Sequence, residues 1–315
     1  MMSPFDIANK EIEELLLDKT IEEIMINGPG RIYLVRGGVA TLSENFISVE
    51  QIDILIEQLL KNTGRRVDKS HPFVDASLVD GSRIHVVIPD ITRKYPAINI
   101  RKFPKINLTL EDFVRQGVIT EVQADFLTYA TTTGANFIIS GSTGAGKTTF
   151  LRALLNTHSK HTRIITCEEV FELHLSSLNV VQMQTRDKGL EGTGEITLRD
   201  LVKGSLRMRP ERLVLGEVRG QEAFELLIAL NSGMPGAGTV HANTAKEALS
   251  KLIMLPLTGG PNIQKSFVEE VTKNVIDLII QVEISKEGYR KVSEILPISK
   301  KFSLEKYQQC TSVAS

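Results

Sequence analysis

Asn136-Phe-Ile-Ile-Ser-Gly-Ser-Thr-Gly-Ala-Gly-Lys-Thr-Thr149 decides the fold. The apolar run Phe137, Ile138, Ile139 is short enough for a buried strand and stops at Ser140. Gly141, Gly144 and Gly146 then let the backbone curl where a Cβ would obstruct it. Phe150 to Leu155 behind them has the composition of a helix. Strand, glycine-rich loop and helix in this order, with Lys147 and Thr148 at the junction, form a P-loop. Its backbone N–H groups and helix N-terminus face a polyphosphate, the lysine reaches the outer phosphates, and the threonine hydroxyl holds magnesium. The nucleotide-binding residues expected on this basis are Gly141, Ser142, Thr143, Gly144, Ala145, Gly146, Lys147, Thr148 and Thr149, with a nucleotide polyphosphate and Mg2+ as their ligands.

Outward from the loop, strand and helix patterns alternate. Arg163 to Cys167, Val180 to Met183, Leu213 to Leu215 and Thr239 to His241 have strand character. Leu198 to Met208 and Glu222 to Leu230 have helical character. This alternation predicts a parallel sheet with helices on both faces. On the N-terminal side, Thr109 and Thr120 stand at helix N-caps, the latter in the box Thr120-Glu-Val-Gln123. The first hundred residues differ: an amphipathic helix from Ile7 to Leu17, strands over 21–27 and 31–35 around Asn27-Gly-Pro-Gly30, a helix capped by Ser48-Val-Glu-Gln51, and short strands over 73–79, 83–88 and 97–101. The expected organisation is an α+β domain over 1–104, a linker over 105–110, and an α/β domain over 111–315.

Composition narrows the function. The chain has 315 residues, and 37 lysines and arginines nearly cancel 38 acids. That balance gives no overall footprint for nucleic acid or a membrane surface, although it leaves room for a local basic patch. No apolar stretch approaches the roughly 20 residues of a bilayer span. Met1 to Asp6 lacks the order of a signal peptide, so a cytoplasmic location is expected. Two cysteines, Cys167 and Cys310, are too few for a four-thiolate zinc site and are taken as reduced thiols.

Four groups could carry chemistry. Arg212 to Glu217 is an apolar strand ending in an acid, which beside a P-loop would orient water or hold magnesium. Glu168, Glu169 and Glu172 follow another strand; acids that close would repel unless solvated or set against a divalent cation. His241 ends a further strand, where it is either structural or a sensor of phosphate. Arg83 and Arg101 stand at strand ends of the first domain, either as solvated charges or as groups reaching toward another domain.

Together, Glu22-Glu-Ile-Met-Ile-Asn-Gly28, Asp80-Gly-Ser-Arg83, the P-loop, Thr166 to Leu173, Thr197-Leu-Arg-Asp-Leu201, Leu206-Arg-Met-Arg-Pro-Glu-Arg212, Gly216-Glu-Val-Arg-Gly220 and Thr239-Val-His-Ala-Asn243 resemble the secretion traffic ATPases. These are hexameric motors of type II and type IV secretion, type IV pili and conjugation, and the tight-adherence (Flp) pilus branch is the nearest. The resemblance runs from about Glu11 to Ile298. It implies a RecA-like P-loop domain preceded by a smaller α+β domain, and it makes the nucleotide ATP, with Mg2+ as the second cofactor. Lys147, Glu217, Glu169, Glu172, His241, Arg83 and Arg101 would be catalytic, with Glu217 positioning the attacking water and both arginines reaching the phosphates. Thr148, Glu169 and Glu217 would serve Mg2+, partly through water. It further implies a homo-hexamer on an inner-membrane platform protein, at the inner face of the cell membrane and without direct nucleic-acid contact. Two positions depart from the pattern: a glutamate, Glu169, stands where an aspartate is usual, and the tetra-cysteine motif of many type II members is missing. Arg219 has no assigned role on this basis, and the tail after Lys300 has no clear pattern. The alternative is a P-loop nucleic-acid translocase, which would need a basic stripe or stacking aromatics. The chain has no tryptophan and 5% aromatic residues.

Overall fold

The computed structural model describes residues 7, 9–102, 108–186, 188, 193–260, 262–285, 288–299 and 301–302. The chain divides into two compact units, Met1–Ile106 and Asn107–Ser315. Residues 105–107 of the expected linker, most of the tail after Lys300, and Cys310 lie outside the described residues.

The first unit contains α1 (Lys10–Leu17), β1 (Glu23–Ile26), β2 (Ile32–Arg36), β3 (Val39–Leu42), α2 (Val49–Leu60), β4 (Phe73–Ser77), β5 (Arg83–Val87) and β6 (Ala97–Arg101). Its six strands form an antiparallel sheet in the order β3-β2-β1-β6-β5-β4. Ile24, Ile26, Ile84, Val86, Ile98 and Ile100 alternate with less buried neighbours. They form a core with Ile12 and Leu16 of α1 and Ile52, Leu55 and Leu59 of α2. A period of two lines one face of a sheet, and the helices' apolar stripes close over it. Ser48 accepts from the amide of Gln51 and Gln51 returns a bond to the amide of Ser48, so the predicted capping box is formed.

The second unit contains α3 (Leu110–Arg115), α4 (Glu121–Thr132), β7 (Phe137–Gly141), α5 (Lys147–Leu155), β8 (Ile164–Glu168), β9 (Val180–Gln184), α6 (Leu198–Ser205), β10 (Arg212–Leu215), α7 (Glu222–Asn231), β11 (Gly236–His241), α8 (Ala245–Met254), α9 (Lys265–Val275), β12 (Leu278–Ile284) and β13 (Arg290–Pro297). The sheet order is β13-β12-β7-β11-β10-β8-β9. Six strands run parallel as the alternation predicts, while β13 pairs antiparallel with β12 at one edge. Every residue of β7 is buried because both faces are covered. Phe137 and Ile139 pack with Phe113, Phe126, Phe150 and Leu154 on one side. Ile138 faces Leu213, Leu226 and Leu252 on the other. Parallel strands buried on both faces have continuous apolar sequence, and all their C-terminal ends open on one edge.

Candidate active site

The site is assembled at that edge. In register, His241 stands beside Gly141, and Leu215 stands beside both Gly238 and Cys167. The ends of β7, β11, β10 and β8 therefore present the P-loop, His241, Gly216-Glu217 and Glu168 in lateral order.

Two glycines are required by their surroundings. A Cβ on Gly141 would stand 2.3 Å from the carbonyl oxygen of Val282 on β12, a backbone atom that cannot yield. Gly146 has φ +93° and caps α5 without a side-chain hydrogen bond, so the first amides of that helix remain available to an anion.

Lys147 is only 7% exposed. Its Nζ donates to the carbonyl of Ser142 at 3.0 Å and lies 3.0 Å from Nδ1 of His241. An ammonium has only protons to offer, so Nδ1 accepts and the neutral ring carries its proton on Nε2. Burial, followed by the Lys147 charge, holds His241 below the usual imidazole range against the opposing pull of Glu217. Burial likewise lowers Lys147, with Glu217 opposing. Nε2 lies 2.7 Å from Oε1 of Glu217, a buried oxygen with no other partner among the described residues. Buried carboxylate oxygens are normally satisfied, and with only the imidazole against it this oxygen keeps acceptor capacity for a further proton.

The other oxygen of Glu217 lies 2.5 Å from Arg219, whose second terminal nitrogen meets Glu169 at 2.8 Å. This bond to Glu217 raises Arg219 above its ordinary range. Arg219 thus ties the loop after β10 to the loop after β8.

The three acids after β8 separate instead of clustering. Glu168, the last residue of the strand, turns inward and accepts from Thr166 Oγ1 at 2.7 Å and from the amides of Glu172 and Leu173 at 2.7 and 3.0 Å. Burial raises its carboxyl above the usual range, and those donors offset only part of the cost. Glu169 faces outward to Arg219. Glu172 accepts from Thr148 Oγ1 at 3.3 Å. Cys167 is a fully buried thiol pushed up to about 12 by burial, as befits a small apolar strand residue.

Lys147, Thr148, Glu169, Glu172, Glu217 and His241 are therefore brought together within the second unit. Arg83 and Arg101 stand opposite each other on β5 and β6 of the first unit. Among the described residues no three His, Cys, Asp or Glu side chains are spaced to hold a metal by themselves. Magnesium usually takes one or two protein oxygens together with phosphates and water. A hydroxyl at the head of α5 with carboxylates nearby fits a metal that arrives with a nucleotide.

Sequence reasoning missed two side chains at the loop. Gln281 on β12 accepts a short hydrogen bond from Ser140 Oγ and donates to the carbonyl of Ala242 at 3.4 Å, joining β7, β12 and the residue after β11. Arg290 donates to the carbonyl of Gly144 at 3.3 Å. The available signal was Gly288-Tyr-Arg290 between two apolar runs, the mark of a hairpin.

Residues 7–295 match the family described as Type II/IV secretion system protein. The chain belongs to that family. Conjugal transfer protein TrbB of Rhizobium radiobacter is 31% identical over 286 residues, which cover 89% of this chain and 84% of TrbB. Type IV secretion system protein VirB11 of Bartonella quintana is 28% identical over 323 residues, covering 90% of each chain. The solved structure of the ATPase DotB from Legionella pneumophila is 17% identical and superposes with a TM-score of 0.63, covering 96% of this chain and 86% of DotB. At that identity it speaks for the fold alone: a RecA-like P-loop domain preceded by a smaller α+β domain.

Proposed function

We propose that the protein is a magnesium-dependent ATPase that works as a hexameric motor on the inner face of a membrane, powering conjugation, type IV secretion or assembly of a type IV pilus such as the Flp kind. One observation carries the enzymatic part: the buried oxygen of Glu217 met only by His241, whose other ring nitrogen meets the P-loop lysine. Membership of a family that includes conjugal transfer and type IV secretion proteins supports the biological part.

In this reading the amides at the head of α5 and the Lys147 ammonium hold the phosphates and balance charge as the terminal phosphoryl departs. Glu217 accepts a proton from the attacking water, and His241 relays the state of the phosphate between Lys147 and Glu217. Magnesium, held through Thr148 with Glu169 and Glu217, supplies charge neutralisation when bound. Arg83 and Arg101 meet the phosphates when the two units close about a linker at 105–110, and that closure, repeated around a ring, transmits force to a membrane platform protein.

The test is ATP hydrolysis per subunit against protein concentration, with and without single-stranded DNA. A specific rate that rises with concentration and ignores DNA is expected of sites completed by neighbours. A rate that is flat in concentration would remove the ring, and one that requires DNA would replace the motor by a translocase.

A further inference from the structure

Arg290 lies 146 positions from the glycine it touches, and the hairpin that carries it is built against the P-loop. β12 pairs with β7 from Leu278 opposite Phe137 to Gln281 opposite Ser140. One residue further, the carbonyl of Val282 occupies the space that any side chain at position 141 would need. β13 returns beside β12 with Arg290 opposite Ile284, so the first residue of β13 arrives at the level of the loop. Its side chain lies across the glycines. Nη2 donates to Gly144, and Cδ and Nε stand 3.4 and 3.5 Å from where a Cβ on Gly146 would be. The guanidinium is thereby anchored by one N–H to Gly144, two residues before the N-cap of α5. Its remaining donors have no partner among the described residues, and no described carboxylate neutralises it.

Lys147 and Arg290 use the same loop differently. Lys147 turns toward His241 and Glu217, the end at which a terminal phosphoryl would be handled. Arg290 stays over Gly144 and Gly146, at the carbonyl of the first and beside the N-cap that the second forms. A guanidinium presents a planar fork of donors that suits phosphate oxygens and remains charged at any working pH. We propose that Arg290 is a phosphate-binding residue of the nucleotide site, contacting the α,β-diphosphate that ADP and ATP share. This assignment rests on the ATPase reading above.

Fluorescence titration of the full chain with mant-ADP and mant-ATP tests it. Arg290→Ala should weaken both by about tenfold with their ratio unchanged, the scale of one charge-assisted phosphate contact. Arg290→Lys, which keeps the charge, should recover part of the loss. Arg290→Gln, which keeps a donor for Gly144 without the charge, should bind as poorly as the alanine variant. Wild-type affinity in the alanine or glutamine variant would reduce Arg290 to a brace for the loop and overturn the assignment. A loss confined to mant-ATP would overturn it in favour of a γ-phosphate contact. Lys147→Ala separates the two levels: if it weakens binding while Arg290→Ala does not, the arginine assignment alone is lost. If the wild-type chain binds neither nucleotide, the ATPase reading falls and takes the assignment with it.

Discussion

Strand β10 is four residues long, an arginine opens it and another follows in the loop after it, and the two arginines live in opposite chemistry. Arg212, at its start, is 1% exposed. It donates to the carbonyls of Thr131, Ala135 and Gly236 at 2.8 to 3.3 Å and lies 5.5 Å from the centroid of the Phe137 ring. Arg219, four residues past the strand's end, is half exposed and held by two carboxylates. Burial lowers Arg212 to about 10, whereas bonding to Glu217 raises Arg219. One end of the strand is closed with neutral carbonyls, which stitch α4, β11 and the turn before β7 into the core. The other is left with paired charges at a polar edge. The same residue type closes the core where it meets backbone carbonyls out of solvent and bridges two strand-end loops where it meets carboxylates at a polar edge.

Truncating the buried arginine should have the largest effect. Arg212→Ala leaves three carbonyls without their donor, so the unfolding free energy should fall by about 3 kcal/mol or more, measured by denaturant titration. Turnover per folded molecule should not change; a stable, inactive variant would make this end part of the site. Glu217→Gln should reverse the pattern, retaining nucleotide binding and stability while kcat falls at least about a hundredfold, roughly 2.7 kcal/mol of barrier. Retained turnover would move the proton acceptor elsewhere.

His158 sharpens the structural end through pH. Burial first, then the Arg212 charge, lowers its imidazole to about 4. The unfolded ring, near its ordinary 6.5, binds the proton more readily, so His158 contributes stability above pH 6.5 that is lost as pH falls toward 4. Discounted for partial exposure, that contribution is on the order of 2 kcal/mol. The difference in unfolding free energy between the wild type and His158→Gln should therefore change between pH 7 and 4; parallel pH curves would show that the ring titrates normally.

Smaller effects are expected where charges meet solvent. Arg101→Ala should slow hydrolysis about tenfold without shifting the unfolding midpoint, and an unchanged rate would make it a solvated strand-end charge. Arg219→Ala should cost less than about 1 kcal/mol of stability, as half-exposed ion pairs do, while lowering kcat. A loss of stability equal to that of Arg212→Ala would erase the contrast between the two ends.

Much of this was legible before the structure. The P-loop, the strand leading to Glu217 and the caps at Ser48, Thr109 and Thr120 were readable because each depends on residues within a few positions of one another. β3 was not anticipated: its four residues are all exposed, so no apolar alternation marks it. Nor were α8, α9, β12 and β13 read. The fates of Glu168, Glu169 and Glu172 were also hidden. Only the end of β8 and the turn after it decide that the first points inward to three donors, the second meets Arg219, and the third meets Thr148.

By itself the sequence determined most of the elements up to β11, the glycine loop and the reactive residue types, because periodicity, capping and turn chemistry are local. The tertiary structure decided which strand ends share an edge, that β13 runs antiparallel, which oxygen of Glu217 meets His241 and which meets Arg219, and that Arg290 reaches Gly144. Those outcomes depend on strand register and on burial by residues distant in the chain. No short-range rule connects positions 144 and 290, and only the hydrogen-bonded pairing of β7 with β12, and of β12 with β13, brings them together.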